Sequence, residues 1–170
     1  MREIVFNAGI PDFKIRRAGV GDCADILRLI KCLATYEELN EEVSATKETL
    51  ADSLFVKKEA EALLGEVNGE IVAYAIFFRN FSTFLGKACL YLEDLFVVKE
   101  HRGKGCGKAM FRAVAETAAA EGCERLDWCC LDWNKKSIDF YESMGAKLMK
   151  GWLVFRLEGD GLKKFAENAG

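Results

Sequence analysis

A run of β-favouring residues ends at Val98, and Arg102-Gly103-Lys104-Gly105-Cys106-Gly107-Lys108 follows ahead of a long Ala-rich stretch. No other part of the chain restricts the fold as much. Glycines at three alternate positions let backbone N–H groups come close to a ligand. They do so where a helix begins and its end carries partial positive charge, a combination that cradles a pyrophosphate. Two familiar phosphate loops do not fit. The Walker spacing needs Gly at 102 and Ser or Thr at 109, where Arg102 and Ala109 stand. The dinucleotide pattern G-x-G-x-x-G fails because Lys108 or Met110 falls at its third glycine. What remains is R-x-x-G-x-G, which a plain glycine-rich turn also satisfies.

Around that turn the periodicities give a mixed α/β plan. Phe13 to Arg16 alternates like a strand, and Asp22 stands where it can cap a helix with the apolar stripe Ile26, Leu29, Ile30 and Leu33. That helix ends near Tyr36, and an acidic loop follows with Glu37, Glu38, Glu41 and Glu42. Thr46 caps a shorter helix toward Leu54, and Asn68-Gly69 forms a tight turn between Ala62–Leu64 and Ile71–Phe78. Lys87 to Val98 reads as a strand, the Ala-rich stretch as a helix to about Glu121, and Leu126–Leu131 as a strand. Ser137–Met144 is helical and stopped by Gly145, Trp152–Leu157 is expected as a last strand, and Leu162–Glu167 adds a helical turn or two. The first ten residues have no place in this plan. With 170 residues, one proline, no repeat and no linker, the chain is expected to be a single domain over 1–170, with 1–12 as an N-terminal extension.

Charge and cysteine usage narrow the function classes. The net charge of −3 disfavours a nucleic-acid partner. The longest clearly apolar run, Ile71–Phe78, is eight residues against the roughly 20 of a membrane span. Arg2, Glu3, Asn7 and Asp12 interrupt the first dozen residues, so no secretory signal is expected and the expected address is cytoplasmic. The seven cysteines show no C-x-x-C spacing and His101 is the one histidine, so no metal is expected and the cysteines read as small apolar residues of a reducing compartment.

Two further stretches carry chemistry. Tyr91-Leu92-Glu93-Asp94-Leu95 sets two adjacent carboxylates in an apolar strand. Neighbouring strand residues point to opposite faces, so at least one acid faces an apolar layer unless a bulge intervenes. Burying a carboxylate is costly, and such acids serve in pairing or in proton chemistry. In Leu131–Ala146, Asn134 can cap a helix whose Phe140 and Tyr141 would face the core, and a tyrosine there serves packing as readily as catalysis.

Together the R-x-x-G-x-G turn, the Glu93-Asp94 strand and N-x-x-S-x-x-F-Y-x-x-x-G-A from Asn134 resemble the GCN5-related N-acetyltransferases over Phe13–Leu157. Residues 25–31, Tyr36-Glu37, Tyr91–Asp94 and Asp132–Asn134 are similar to the spermidine/spermine branch. Leu131–Asn134 and the C-terminal Leu-Lys-Lys-Phe-Ala lean toward its thialysine N-acetyltransferases. The resemblance implies the GNAT fold, a central, mostly antiparallel sheet with a parallel notch flanked by helices. It implies acetyl-CoA as cosubstrate, with the pantetheine arm on the backbone of Leu95, Phe96 and Val97. The pyrophosphate would lie on Arg102, Gly103, Lys104, Gly105, Cys106, Gly107 and Lys108, and Asn134 and Ser137 would hold the far side. Tyr141 would be the general acid and Glu93 the base; Tyr36, Glu37, Asp94 and Trp152 would hold the substrate, and the active form would be a homodimer.

That chemistry is reasonable physically. An alkylammonium of pKa about 10.4 is neutral roughly once in 2,500 at pH 7, so preparing the nucleophile costs about 4.6 kcal/mol. A positioned carboxylate and a clamp on a second cation offset part of this. Cys106 in the turn offers a thiol nucleophile that direct attack does not need. Met149-Lys150 ahead of Gly151-Trp152 differ from the two glutamates of the polyamine enzymes, and Ser53–Leu64 lacks their Pro-Phe-Tyr-His stretch. Both differences favour a short diamine or lysine-like amine over spermine. Acetylation of a peptide, or acetyl-CoA sensing without turnover, are the alternatives.

Overall fold

The computed structural model describes residues 4–167. Arg2 and Glu3, used above in the argument on signals, lie outside them. The chain forms two compact units, residues 1–129 and residues 130–170.

The first unit is built on a six-stranded sheet in the order β1-β2-β3-β4-β5-β6. β1 (Ile4–Asn7), β2 (Phe13–Arg17), β3 (Glu61–Val67), β4 (Glu70–Ser82) and β5 (Lys87–Val97) form an antiparallel meander. β6 (Leu126–Trp128) lies parallel to β5, reached through helix α3 (Cys106–Ala120), the crossover that parallel pairing requires. Asn68 (φ 50°) and Gly69 (φ 88°) make the left-handed two-residue turn that the β3–β4 hairpin needs. β1 gives the opening residues a place: they pair with β2.

The sheet has an apolar layer on each face. On one, Val72, Phe77, Leu90 and Leu92 pack with Met110 and Val114 of α3. On the other, Leu64, Tyr74 and Phe96 pack with Ile26 and Leu29 of α1 (Cys23–Tyr36) and with Leu54, just beyond the short α2 (Lys47–Ala51). On the α3 side, Gly65 of β3 lets Phe13 pack close, because a Cβ there would come 2.5 Å from the Phe13 ring and 2.9 Å from the Ala73 Cβ.

Thr46 caps α2 as expected, its hydroxyl accepting from the Thr49 N–H at 3.2 Å. Asp22 does not cap α1. Its carboxylate is taken by Arg16 at 2.8 and 3.1 Å and by the Gly19 N–H at 2.7 Å, a stronger, charge-assisted claim on the same oxygens.

The second unit carries α4 (Lys135–Ser143) and α5 (Gly159–Glu167). The expected strand Trp152–Leu157 is absent. That segment pairs with no strand among the described residues, and its side chains lie exposed, Phe155 at 89%. An apolar, β-favouring run does not make a strand without a ladder to join. No helix among the described residues is long and apolar enough to cross a membrane.

Candidate active site

The geometry of the site starts from one misalignment. Along β4 and β5, Ile76 faces Asp94 and Phe77 faces Leu92, so Glu93 is an extra residue with no partner opposite it. This one-residue bulge shifts the phase of β5. Before it, Leu90 and Leu92 point into the α3 core; after it, Leu95 and Val97 do, while Phe96 joins the α1 side. Glu93 falls on the α1 face by the alternation of the first half, and Asp94 by that of the second. Both acids therefore come to one face, Glu93 exposed and Asp94 half-buried.

Asp94 is held by a residue that the sequence reading missed. The fully buried Tyr74 of β4 donates its O–H to Asp94 Oδ2 at 2.9 Å, and its ring lies 6.4 Å from that of Phe96. Burial pushes the Asp94 carboxyl above its ordinary pKa, the Tyr74 hydrogen bond pulls it back, and the charge of Glu93 raises it further. Glu37, just past the end of α1, is likewise raised, by burial first and then by Asp94. The Tyr74 phenol is pushed far up by burial and then by Asp94, so it stays a donor. A tyrosine within the apolar run Ile71–Phe78 was the available signal, since a buried phenol needs a partner for its O–H.

Arg102 ties this face to the glycine turn. Its Nε donates to the Val97 carbonyl at 2.8 Å, and its guanidinium lies 4.6 Å from the Tyr36 ring centroid and 5.1 Å from that of Phe96, within cation–π range. Tyr36, Glu37, Asp94, Phe96 and Arg102 are thus brought together at the ends of α1 and β5.

The turn itself has left-handed Gly103 (φ 74°) and Gly105 (φ 87°), and Gly105 stands immediately before α3. Lys104 and Lys108 are exposed, whereas Cys106 is buried in the α3 core, where burial raises its thiol. A buried thiol of raised pKa is a poor nucleophile. β6 pairs only with Leu90–Leu92, so from Glu93 onward β5 has no strand on that edge among the described residues. An edge of backbone amides that leads to a left-handed glycine turn at a helix N-terminus fits an amide-bearing arm ending in a pyrophosphate. Acetyl-CoA has that form.

The second unit holds the remaining candidates. Asn134 is buried and caps α4 by accepting from the Ser137 N–H at 3.2 Å. Tyr141 lies on α4 with its ring 5.2 Å from that of Phe140, nearly edge-on, and Trp152 is 72% exposed.

The model of the acetyltransferase (GNAT) family matches residues 25–146. Thialysine N-epsilon-acetyltransferase of Bos taurus is 38% identical over 164 residues, which cover 89% of this chain and 96% of that protein. L-ornithine N5-acetyltransferase of Arabidopsis thaliana is 42% identical over 99 residues, 58% of this chain and 43% of that one. Among solved structures, an integron cassette protein from the mobile metagenome of V. cholerae superposes with a TM-score of 0.78 at 26% identity, over 92% of this chain and 99% of its own.

Proposed function

The chain belongs to the GNAT family of acetyltransferases, and on that premise we propose that it uses acetyl-CoA to acetylate a primary amine of a small, doubly charged substrate. Thialysine and other lysine-like amines are the first candidates, and short diamines come next. The observation that carries the choice is Glu37 beside Asp94, two half-buried carboxyls on a face that also carries Glu93, three acids to the one guanidinium of Arg102 at the ends of α1 and β5. A site with surplus negative charge attracts an ammonium that the substrate carries in addition to the reacting amine.

Each residue then has a task. Acetyl-CoA, when bound, supplies the acetyl group as a thioester. The backbone of Leu95, Phe96 and Val97 and the turn from Arg102 to Lys108 hold its arm and phosphates. Asn134 and Ser137 support it, on the strength of their motif. Glu37 and Asp94 hold the second ammonium, with Tyr36 beside it, and Trp152 is assigned to the substrate on the strength of its motif. Glu93, exposed at the bulge, removes the proton from the reacting nitrogen, directly or through water. The Tyr141 hydroxyl gives a proton to the departing sulfur. No covalent enzyme intermediate is required, which suits the buried state of Cys106. We take the working form to be a cytoplasmic homodimer; the exposed Phe81 and Phe84 at the β4–β5 tip favour association, and the mass in solution tests it.

The deciding experiment is thiol release from acetyl-CoA with putrescine, spermidine, spermine, thialysine, lysine and a basic peptide. Thialysine or another short two-cation amine should give the highest kcat/KM. Release with the peptide alone, or acetyl-CoA binding with no release at all, would overturn the reading.

A further inference from the structure

Two adjacent acids on one face raise the question of which holds charge and which moves a proton, and β4 contains the answer. We propose that Tyr74 is a positioning residue that fixes Asp94 as the cation-holding carboxylate and so leaves proton removal to Glu93. The inference rests on the acetyl-transfer reading above. Tyr74 Oη donates to Asp94 Oδ2 at 2.9 Å from a ring with no exposed surface, packed beside Phe96. A donor so confined cannot follow a carboxyl that moves, so it sets both the direction of Oδ2 and the ionised state of the acid. An O–H given to a carboxylate favours the charged form. Glu93 is exposed, and no comparable donor to its carboxylate is found among the described residues, so its carboxylate is left able to turn toward a reacting nitrogen.

The groups around Asp94 bear on its titration. Glu37 reaches it from the end of α1 and Glu93 from its own strand. Cys32 of α1 acts on the Tyr74 phenol, and Arg102 stacks on Phe96 from the turn. The acids oppose ionisation of Asp94, and Tyr74 is the group that restores it. Without that hydroxyl, burial and two neighbouring acids would keep Asp94 protonated to higher pH, and the second ammonium would lose a partner.

Tyr74→Phe, which keeps the ring and its packing, is the test. For a two-cation amine, the acidic limb of the kcat/KM profile should move up by about one pH unit, with KM on that limb up about tenfold and kcat at saturating amine within about twofold. A simple monoamine should show no such movement, and acetyl-CoA affinity should hold. In the folded protein, ¹³C NMR should show the Asp94 carboxyl titrating at higher pH in the variant. In an Asp94→Asn background, Tyr74→Phe should move nothing further. An unchanged Asp94 titration, an equal KM change for both amines, or a full effect in the Asp94→Asn background would overturn the proposal. Failure of the acetyl-transfer reading looks different: the unmodified protein would release no thiol with any amine, and the NMR titration would still decide whether Tyr74 controls Asp94.

Discussion

Two acid clusters in the first unit use the same residue types to opposite ends. At Arg16, both Asp22 oxygens are engaged by the guanidinium, Glu66 joins at 3.2 Å, and the Gly19 N–H completes the set. Asp22 and Arg16 are almost wholly buried, and hydrogen bonding to Asp22 holds the Arg16 guanidinium charged. At Glu37 and Asp94, with Glu93 on the same face, the donor to a carboxylate is the Tyr74 phenol, while the nearby Arg102 guanidinium is turned to the Val97 carbonyl and the Tyr36 and Phe96 rings. The first cluster is complete within the chain and serves the fold. In the second, no lysine or arginine of the described residues hydrogen-bonds to the acids, and a cation from outside can take that place. Whether the acids are engaged directly by a cation of the chain, rather than burial or residue type, separates a structural polar network from a site.

The largest effect should come from unbalancing the first cluster. Asp22→Asn leaves the buried guanidinium with the part-exposed Glu66 as its remaining carboxylate and should cost about 3–5 kcal/mol of stability by denaturant unfolding, while kcat of the folded fraction stays unchanged. Loss of activity with stability intact would reverse the contrast. Next in size, Glu93→Gln should lower kcat about 10²–10³-fold near neutral pH and less at alkaline pH, where free amine is abundant; its Tm should hold. A deficit of the same size at every pH would tell against a base. Glu37→Gln should raise KM about tenfold for a two-cation amine, through loss of one charge-assisted contact, and leave a monoamine nearly unchanged. The smallest effect concerns Asp94→Asn. A carboxyl raised on folding contributes stability that is fully present below its unfolded pKa and is lost as pH rises through the folded value. The neutral amide avoids that loss, so this variant should melt higher than the parent at pH 8 and equally near pH 4, even as it binds the amine less well.

Much of this arrangement is legible in the chain. Asn68-Gly69 dictates a left-handed hairpin, alternation marks β2 and β5, and the glycine turn before an Ala-rich helix announces both a crossover and an anion cradle. The failures share one cause: each depends on a partner distant in sequence or on a competition between partners. Asp22 looks like a cap because the residues after it are helical, yet Arg16 outcompetes the helix end. Trp152–Leu157 is rich in β-favouring apolar residues but pairs with no strand among the described residues. The Glu93-Asp94 pair reads the same with or without a bulge, because pairing with Ile76 and Phe77 sets the phase. Tyr74 hides in an apolar run, and its role appears only once Asp94 is opposite Ile76 and turned toward it.

The bulge also decides which genetic changes the site can survive. A polar substitution at Glu93 alters an exposed side chain and leaves β5 in phase. A one-codon deletion there would remove the extra residue and close the bulge, leaving Leu92, Leu95 and Val97 on the α3 side and Phe96 on the α1 side, with Ile76 and Phe77 still opposite Asp94 and Leu92. The slot can thus be lost whole while the packing on both faces stays as it is. An acid lost from it by point mutation leaves the position intact, and a single codon change can restore it.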